Sequence, residues 1–131
     1  MKPGALAQWH RIAQSRDPAA LDALLADDVV FVSPVVHRPQ VGKALTKAYL
    51  AAALSVLGND TFRYVGEWAG QNSAVLEFVT TVGGVEINGA DFIAWNEAGL
   101  ITSFKVMVRP LKAINLLHQL MAARLAAARE G

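Results

Sequence analysis

Residues 85–95 read Val-Glu-Ile-Asn-Gly-Ala-Asp-Phe-Ile-Ala-Trp, an apolar run with a single carboxylate on its apolar face. β-Branched and aromatic residues favour strands, and side chains alternate between the two faces of a strand. One face therefore carries Val85, Ile87, Gly89, Asp91, Ile93 and Trp95. Because an unpaired carboxylate is costly to bury, Asp91 is expected either to have a buried hydrogen-bonding partner or to act in a pocket.

Three further strand-like segments surround this run. They cover residues 61–69, 74–82 and 100–109, and turns rich in Gly and Asn separate all four segments. Such spacing predicts a meander of antiparallel strands joined by hairpins. A short strand over residues 29–32 is predicted earlier in the chain, and Pro34 ends it because proline cannot continue the hydrogen-bonded ladder.

Helical periodicity marks the rest of the chain. Leu6, Trp9 and Ile12 recur at helical spacing, and Asp17-Pro18 supplies the start of a second, short helix. Residues 43–57 form a third helix that is apolar around much of its circumference. After Pro110, an amphipathic terminal helix is predicted from the apolar stripe Leu111, Ile114, Leu117, Met121 and Leu125. The predicted class is α+β.

Composition narrows the possible functions. With 131 residues, 53% of them hydrophobic, residues 1–131 are expected to form one domain. The 12 Lys and Arg residues against 11 Asp and Glu residues leave no electrostatic footprint for nucleic acid. The longest near-continuous apolar run is about half a membrane span, and residues 1–4 show no signal-type segment, so no membrane association is expected. The absence of cysteine favours a cytoplasmic location.

The order of these elements resembles the NTF2-like superfamily, especially its SnoaL-like and ketosteroid-isomerase-like members. The motifs that carry the resemblance are Leu-Ala-Asp-Asp-Val-Val-Phe at residues 25–31, Ser33-Pro34, Gly42, the stretch from Asp91 to Ile101, and Val108-Arg109-Pro110. The resemblance implies a cone-shaped fold in which three N-terminal helices lie on a curved antiparallel sheet, followed by a C-terminal helix. It also implies a homodimer through the outer sheet face, where Glu77, Lys105, Met107 and Arg109 are expected.

The same resemblance allows catalytic roles to be compared position by position. Ketosteroid isomerases use an Asp base before the first-strand proline, a Tyr on the first helix and a protonated Asp in the sheet. This chain has Ser33, Trp9 and Asp91 at those positions, so only the sheet acid is kept. Limonene-epoxide-hydrolase-like members need an Arg where this chain has Gly89, and an acid in the last strand that is missing here. Neither mechanism is expected to operate unchanged.

The sequence therefore predicts a pocket that binds a small apolar or aromatic molecule near Asp91. Its lining is predicted to include Trp9, Phe31, Ser33, Leu50, Ile93, Phe104 and Val106. An enzyme of this kind would use acid or base catalysis, of isomerase, cyclase or hydrolase type. Asp91 would polarise or protonate a carbonyl, and His37 or a water would be the second proton carrier.

The alternative is a non-catalytic ligand-binding or dimerisation module. A second titratable group within hydrogen-bonding reach of Asp91 would favour the enzyme. The three histidines are scattered, without an i, i+4 partner or a shared carboxylate, so neither a metal site nor a cofactor is expected.

Overall fold

A curved, open six-stranded sheet forms the framework, with its strands in the spatial order β2-β1-β6-β5-β4-β3. The computed structural model describes residues 4–130, with side chains through residue 127. The prediction about a signal segment concerns residues 1–4 and so falls almost entirely outside this range. The strands are β1 (Leu25–Val32), β2 (Gln40–Val41), β3 (Arg63–Ala69), β4 (Ser73–Val82), β5 (Val85–Trp95) and β6 (Ile101–Arg109). The helices are α1 (Ala5–Ser15), a 3₁₀ helix (Pro18–Ala20), α2 (Leu21–Leu24), α3 (Lys43–Leu57) and α4 (Leu111–Glu130).

Strands β3 to β6 form the predicted antiparallel meander. The tightest turn lies between β4 and β5, where Gly83 and Gly84 have φ angles of 55° and 78°. A two-residue hairpin turn of this kind needs positive φ at both positions, which glycine adopts without strain. Strand β1 joins the meander at β6 in parallel, and the short strand β2 pairs with the outer side of β1.

The core lies between the inner face of the sheet and the helices. In β5 the side chains of Ile87, Asp91 and Ile93 are buried and alternate with half-buried ones, as the sequence predicts. Helix α3 packs against β1 on one side and α4 on another. Its buried residues include Thr46, Leu50, Leu54 and Leu57. The helix that the sequence shows to be apolar around much of its circumference is thus covered by both β1 and α4.

Two local predictions are wrong. Strand β1 begins at Leu25, four residues before the predicted start, because Leu25 pairs with Ile101 of β6 ahead of a register shift that ends at Val30. Leu111 does not belong to the buried stripe of α4: it is 71% exposed, whereas Ala113 and Leu117 are buried. None of the helices within residues 4–130 combines the length and the apolar character needed to cross a lipid bilayer.

Candidate active site

Asp91 lies at the centre of the inner sheet face and is only 6% exposed. In the register of the sheet it is flanked by Leu76 of β4 and Val106 of β6. Its neighbours across the strands are therefore apolar, and the hydrogen-bonding partner of its carboxyl group has to come from elsewhere.

Tyr64 of β3 provides that partner. Its hydroxyl donates a hydrogen bond of 2.5 Å to Oδ2 of Asp91. The same hydroxyl accepts a 2.9 Å hydrogen bond from Nε1 of Trp9 on α1. Trp9 is 4% exposed, and its ring packs edge-on against Phe104 with centroids 4.7 Å apart. A buried chain of three polar groups thus connects the first helix to the fifth strand.

Gly89 explains how Tyr64 is positioned. It lies two residues before Asp91 on the same face and pairs with Phe78 of β4. A Cβ atom at Gly89 would lie 2.4 Å from Cζ of Phe78, so the Phe78 ring fills the space that a side chain would need. That ring stacks on Phe62 and meets Tyr64 edge-on. The missing side chain therefore allows an aromatic cluster that holds the tyrosine beside Asp91.

Burial governs the electrostatics of this pair. Desolvation raises the pKa of Asp91 from 3.8 to about 7, against the opposing effect of the hydrogen bond from Tyr64. The pKa of Tyr64 lies well above its usual value of 10.0, first because of burial and then because of the neighbouring Asp91. Tyr64 therefore stays a hydrogen-bond donor, whereas Asp91 can hold or release a proton near neutral pH.

A cavity of about 210 Å³ opens in front of Asp91. Its aromatic lining consists of Trp9, Phe31, Tyr49, Phe62, Tyr64 and Phe104. Helices α3 and α4 complete the wall through Leu50, Leu54, Leu117 and Met121, among others. No described residue hydrogen-bonds to Oδ1 of Asp91, the second oxygen of a carboxyl group that lines the cavity. That oxygen is available to a ligand.

The structure brings most of the predicted pocket residues together. Asp91 and six of the seven predicted lining residues border the cavity: Trp9, Phe31, Ser33, Leu50, Phe104 and Val106. Ile93 is buried in the core but does not line the cavity. His37 is exposed in the loop after β1 and is not among the lining residues. His118 of α4 lines the cavity instead, although the sequence offered no reason to prefer it.

Ser33 lies where the resemblance places a catalytic base. Its hydroxyl oxygen accepts hydrogen bonds of 2.9 Å from the backbone N–H groups of both Val35 and Val36. These contacts fix the turn after β1. A serine engaged in this way cannot take the place of a carboxylate as a proton acceptor near neutral pH.

Sequence reasoning missed Tyr64. Tyr64 and Asp91 are 27 residues apart, and only the pairing of β3 with β4 and of β4 with β5 brings them together. A bulge between Tyr64 and Gly66 also interrupts the alternation of β3. The available signal was a tyrosine in a strand next to a buried acid, which is too common a pattern to select one pair. Among the side chains that the structure describes, residues 4–127, no group of three or more from His, Cys, Asp or Glu is placed to hold a metal ion.

Comparison with known proteins gives a consistent result. Residues 6–104 match the family model of the SnoaL-like domain. A steroid delta-isomerase from Pseudomonas aeruginosa is 37% identical, with a TM-score of 0.91 over 97% of this chain and 93% of that one. A protein with a cystatin-like fold from Silicibacter pomeroyi is 32% identical, with a TM-score of 0.85 over 92% and 84% of the two chains.

A more distant structure shows the same fold. An NTF2-like protein from Mesorhizobium loti is 17% identical, with a TM-score of 0.70 over 81% of this chain and 88% of that chain. No protein of curated function matches the sequence significantly.

Proposed function

Because this chain belongs to the SnoaL-like domain family within the NTF2-like fold, we propose that it binds a small apolar carbonyl compound and catalyses proton transfer on it. The observation that carries the proposal is the buried hydrogen-bond chain from Trp9 through Tyr64 to Asp91 at the wall of an apolar cavity. Perturbed acids in apolar pockets concentrate at functional sites.

The size of the cavity limits the ligand. An engineered cavity of about 150 Å³ with a similar apolar lining holds benzene. A cavity of about 210 Å³ fits a molecule of one or two rings. The aromatic lining favours a flat or cyclic molecule, since aromatic pairs gain from offset or edge-on contact.

Asp91 supplies the chemistry. In its protonated form it donates a hydrogen bond from Oδ1 to the carbonyl oxygen of the ligand, while Oδ2 keeps its bond from Tyr64. The carbonyl becomes more polarised, and the proton on the neighbouring carbon becomes more acidic. Water takes that proton while Asp91 passes its own proton to the carbonyl oxygen, so the enol forms, Asp91 is left as a carboxylate and the water as a hydronium ion. In the reverse direction Asp91 takes the proton back from the enol oxygen and the hydronium ion returns a proton to carbon. Tyr64 orients the carboxyl group, and Trp9 orients Tyr64.

This mechanism differs from the isomerase scheme, which needs a second carboxylate. The Pseudomonas aeruginosa relative is named a steroid delta-isomerase. In this chain Ser33 stands at the base position and its oxygen is occupied by two backbone N–H groups. We therefore propose enolisation as the reaction. Migration of the double bond in a β,γ-unsaturated ketone is the related reaction to assay.

Exchange of carbon-bound hydrogen tests the proposal. A methyl ketone such as 4'-methylacetophenone is incubated with the protein in deuterated buffer at neutral pH. Loss of the proton signal of the acetyl methyl group, which is next to the carbonyl, is followed by NMR. Wild type is expected to accelerate the exchange. Asp91→Asn cannot donate a carboxyl proton, so the exchange rate that it catalyses should be lower than that of wild type by about 100-fold or more. Asp28→Asn, at an exposed position, is the matched control.

Ligand binding is measured separately. A ligand that binds only the folded state raises the melting temperature by mass action. Val106 lies beside Asp91 in the sheet, so Val106→Trp fills the cavity and should abolish this shift. Binding without accelerated exchange would favour the alternative, a non-catalytic ligand-binding module. Shifts that persist in a folded Val106→Trp variant would place the ligand elsewhere.

A further inference from the structure

A second, polar space adjoins the cavity. It is a groove of about 440 Å³ between the C-terminal ends of α1 and α3 and the start of β3. Four of its lining residues also line the apolar cavity: Ala13, Gly58, Phe62 and Tyr64. The two spaces therefore meet at these four residues, which we call the seam. Two of them are aromatic and two are among the smallest residues.

The small residues at this seam allow α1 and the end of α3 to approach each other closely. Gly58 ends α3, and a Cβ atom there would lie 2.7 Å from Cδ of Arg16. Arg16 lies directly against Gly58 and donates a 3.0 Å hydrogen bond to its carbonyl oxygen. A larger residue at position 58 would collide with Arg16, and a larger one at position 13 would extend into the seam.

Positive charge dominates the groove. Arg16 and Arg63 border it against a single carboxylate, Asp60. Asp60 is fully exposed and lies 3.5 Å from Arg16, which is a weak contact. The Arg63 side chain makes no hydrogen bond or ion pair with any residue in the described part of the chain. His10, also at the groove, is already bound to Glu67 at 2.7 Å.

We infer that the ligand is an apolar carbonyl compound with a carboxylate at its far end, which lies in the groove and pairs with Arg63 and Arg16. This inference rests on the proposed function and adds the class of ligand. A ring in the cavity places one end at Asp91, and the groove that holds the two guanidinium groups adjoins the same cavity at Phe62. Guanidinium groups bind carboxylates through paired hydrogen bonds, so the groove suits this end group.

Matched acids and amides test the inference. The probes are 4-acetylbenzoate and 3-(4-acetylphenyl)propanoate, each compared with its primary amide, which has the same size and no charge. Dissociation constants are measured by titration calorimetry. For at least one chain length, the acid is expected to bind wild type about fivefold more tightly than its amide, in line with a partly exposed ion pair. Salt should reduce this advantage, because ions screen exposed charges.

Two variants locate the contact. Arg63→Gln should bring the ratio of acid to amide affinity close to one while the amide still binds. Ala13→Leu, which fills the seam, should also remove the advantage. Lys112→Gln deletes one exposed positive charge that borders neither space and should leave the ratio unchanged.

The outcomes separate the two proposals. If neither acid nor amide binds, the proposed function fails and the inference fails with it. If the amides bind but no acid is preferred, or the preference persists in Arg63→Gln, the inference is overturned while the proposed function stands.

Discussion

Desolvation favours the protonated form of Asp91. Among the described residues, Tyr64 alone donates a hydrogen bond that stabilises the ionised form. The Asp91 pKa of about 7 in the folded protein compares with about 3.9 in an unfolded chain. Between these values the folded state binds the proton more tightly than the unfolded state. The contribution of Asp91 to stability is therefore fully present below about pH 3.9 and is lost as the pH rises to about 7. The total loss is about 4 kcal/mol, since each pKa unit corresponds to about 1.4 kcal/mol.

Asp91→Asn removes this pH dependence. The amide oxygen of asparagine can still accept the hydrogen bond from Tyr64, and no charge is buried at any pH. We predict that the variant matches or exceeds wild type in stability at pH 8, by up to about 4 kcal/mol. The gain should shrink toward pH 5. Urea midpoints of both proteins at the two pH values measure the effect. A variant clearly less stable than wild type at pH 8 would show that Asp91 is an ionised and well-paired structural acid.

Tyr64→Phe tests the other half of the pair. The change leaves Asp91 without its donor and Nε1 of Trp9 without its acceptor. Unsatisfied buried polar groups cost about 1–3 kcal/mol each, so with two such groups the variant should be less stable than wild type by about 2–6 kcal/mol. Since the tyrosine bond lowers the pKa of Asp91, its loss should raise that pKa above about 7. Tyr49→Phe, which loses a hydroxyl from the same cavity, is the control.

The acid could be found from the sequence, but its partner could not. The alternation of side chains along a strand depends only on residues that are neighbours in the sequence. Here this alternation places the carboxylate of Asp91 on an apolar face, which makes Asp91 conspicuous. Tyr64 reaches Asp91 through the register of three strands, which no local pattern specifies. His37 and His118 show the same limit: the sequence places each on a loop or helix, but not relative to a cavity formed by distant elements.

At the scale of elements, the long periodic segments were predictable and the short ones were not. Residues 43–57 and 85–95 match α3 and β5 in full, because each repeats its apolar pattern over several turns or pleats. Strand β2 has two residues and no pattern of its own; it exists because Val30 and Phe31 offer an unpaired edge. The start of β1 depends on Leu25 meeting Ile101, a contact between distant parts of the chain.

At Gly89, the packing of β4 against β5 affects how Tyr64 is held beside Asp91. Gly89→Ala would place a Cβ atom 2.4 Å from Phe78 and 2.7 Å from the carbonyl oxygen of Met107. The backbone contact cannot be relieved by a side-chain rotation, so we predict a loss of stability of about 1–3 kcal/mol or more. Thermal or urea unfolding measures it. Gly70→Ala, at an exposed turn with ordinary contact distances, should change stability by less than about 0.5 kcal/mol. Equal effects at the two positions would contradict this account.

On the scale of the whole molecule, the outer face of the sheet carries a cross-strand row of two aromatic side chains, one aliphatic side chain and a lysine. Trp68, Val75, Phe92 and Lys105 are neighbours across β3, β4, β5 and β6. Trp68 is 61% exposed and lies over Gly66, where a side chain would collide with its ring. In the next row Met107 is 52% exposed.

The charged groups of this face have neutral partners within the sheet. Asn88 donates to Glu77 at 3.0 Å and accepts from Arg109 at 3.1 Å. Lys105 lies 4.9 Å from the centre of the Phe92 ring, a distance suited to a cation–π contact. With Glu77, Arg109 and Lys105 held by partners within the sheet, the face combines exposed apolar side chains with polar groups that already have contacts, which favours its being covered by another protein.

We predict that a second copy of this chain covers it, so that the protein is a homodimer through the outer sheet face. A two-fold interface pairs the same patch on both subunits, and the exposed side chains of Trp68 on β3 and Met107 on β6 give this face apolar surface that a second copy can cover. Light scattering at micromolar concentration should give about twice the chain mass of 14.0 kDa. Trp68→Arg replaces the most exposed aromatic side chain of this face by a positive charge and should give the single chain mass. Leu111→Arg changes an exposed leucine away from the sheet and should leave the dimer intact. A single species of 14.0 kDa from wild-type protein would contradict the prediction, and a dimer that survives Trp68→Arg would place the interface on another face.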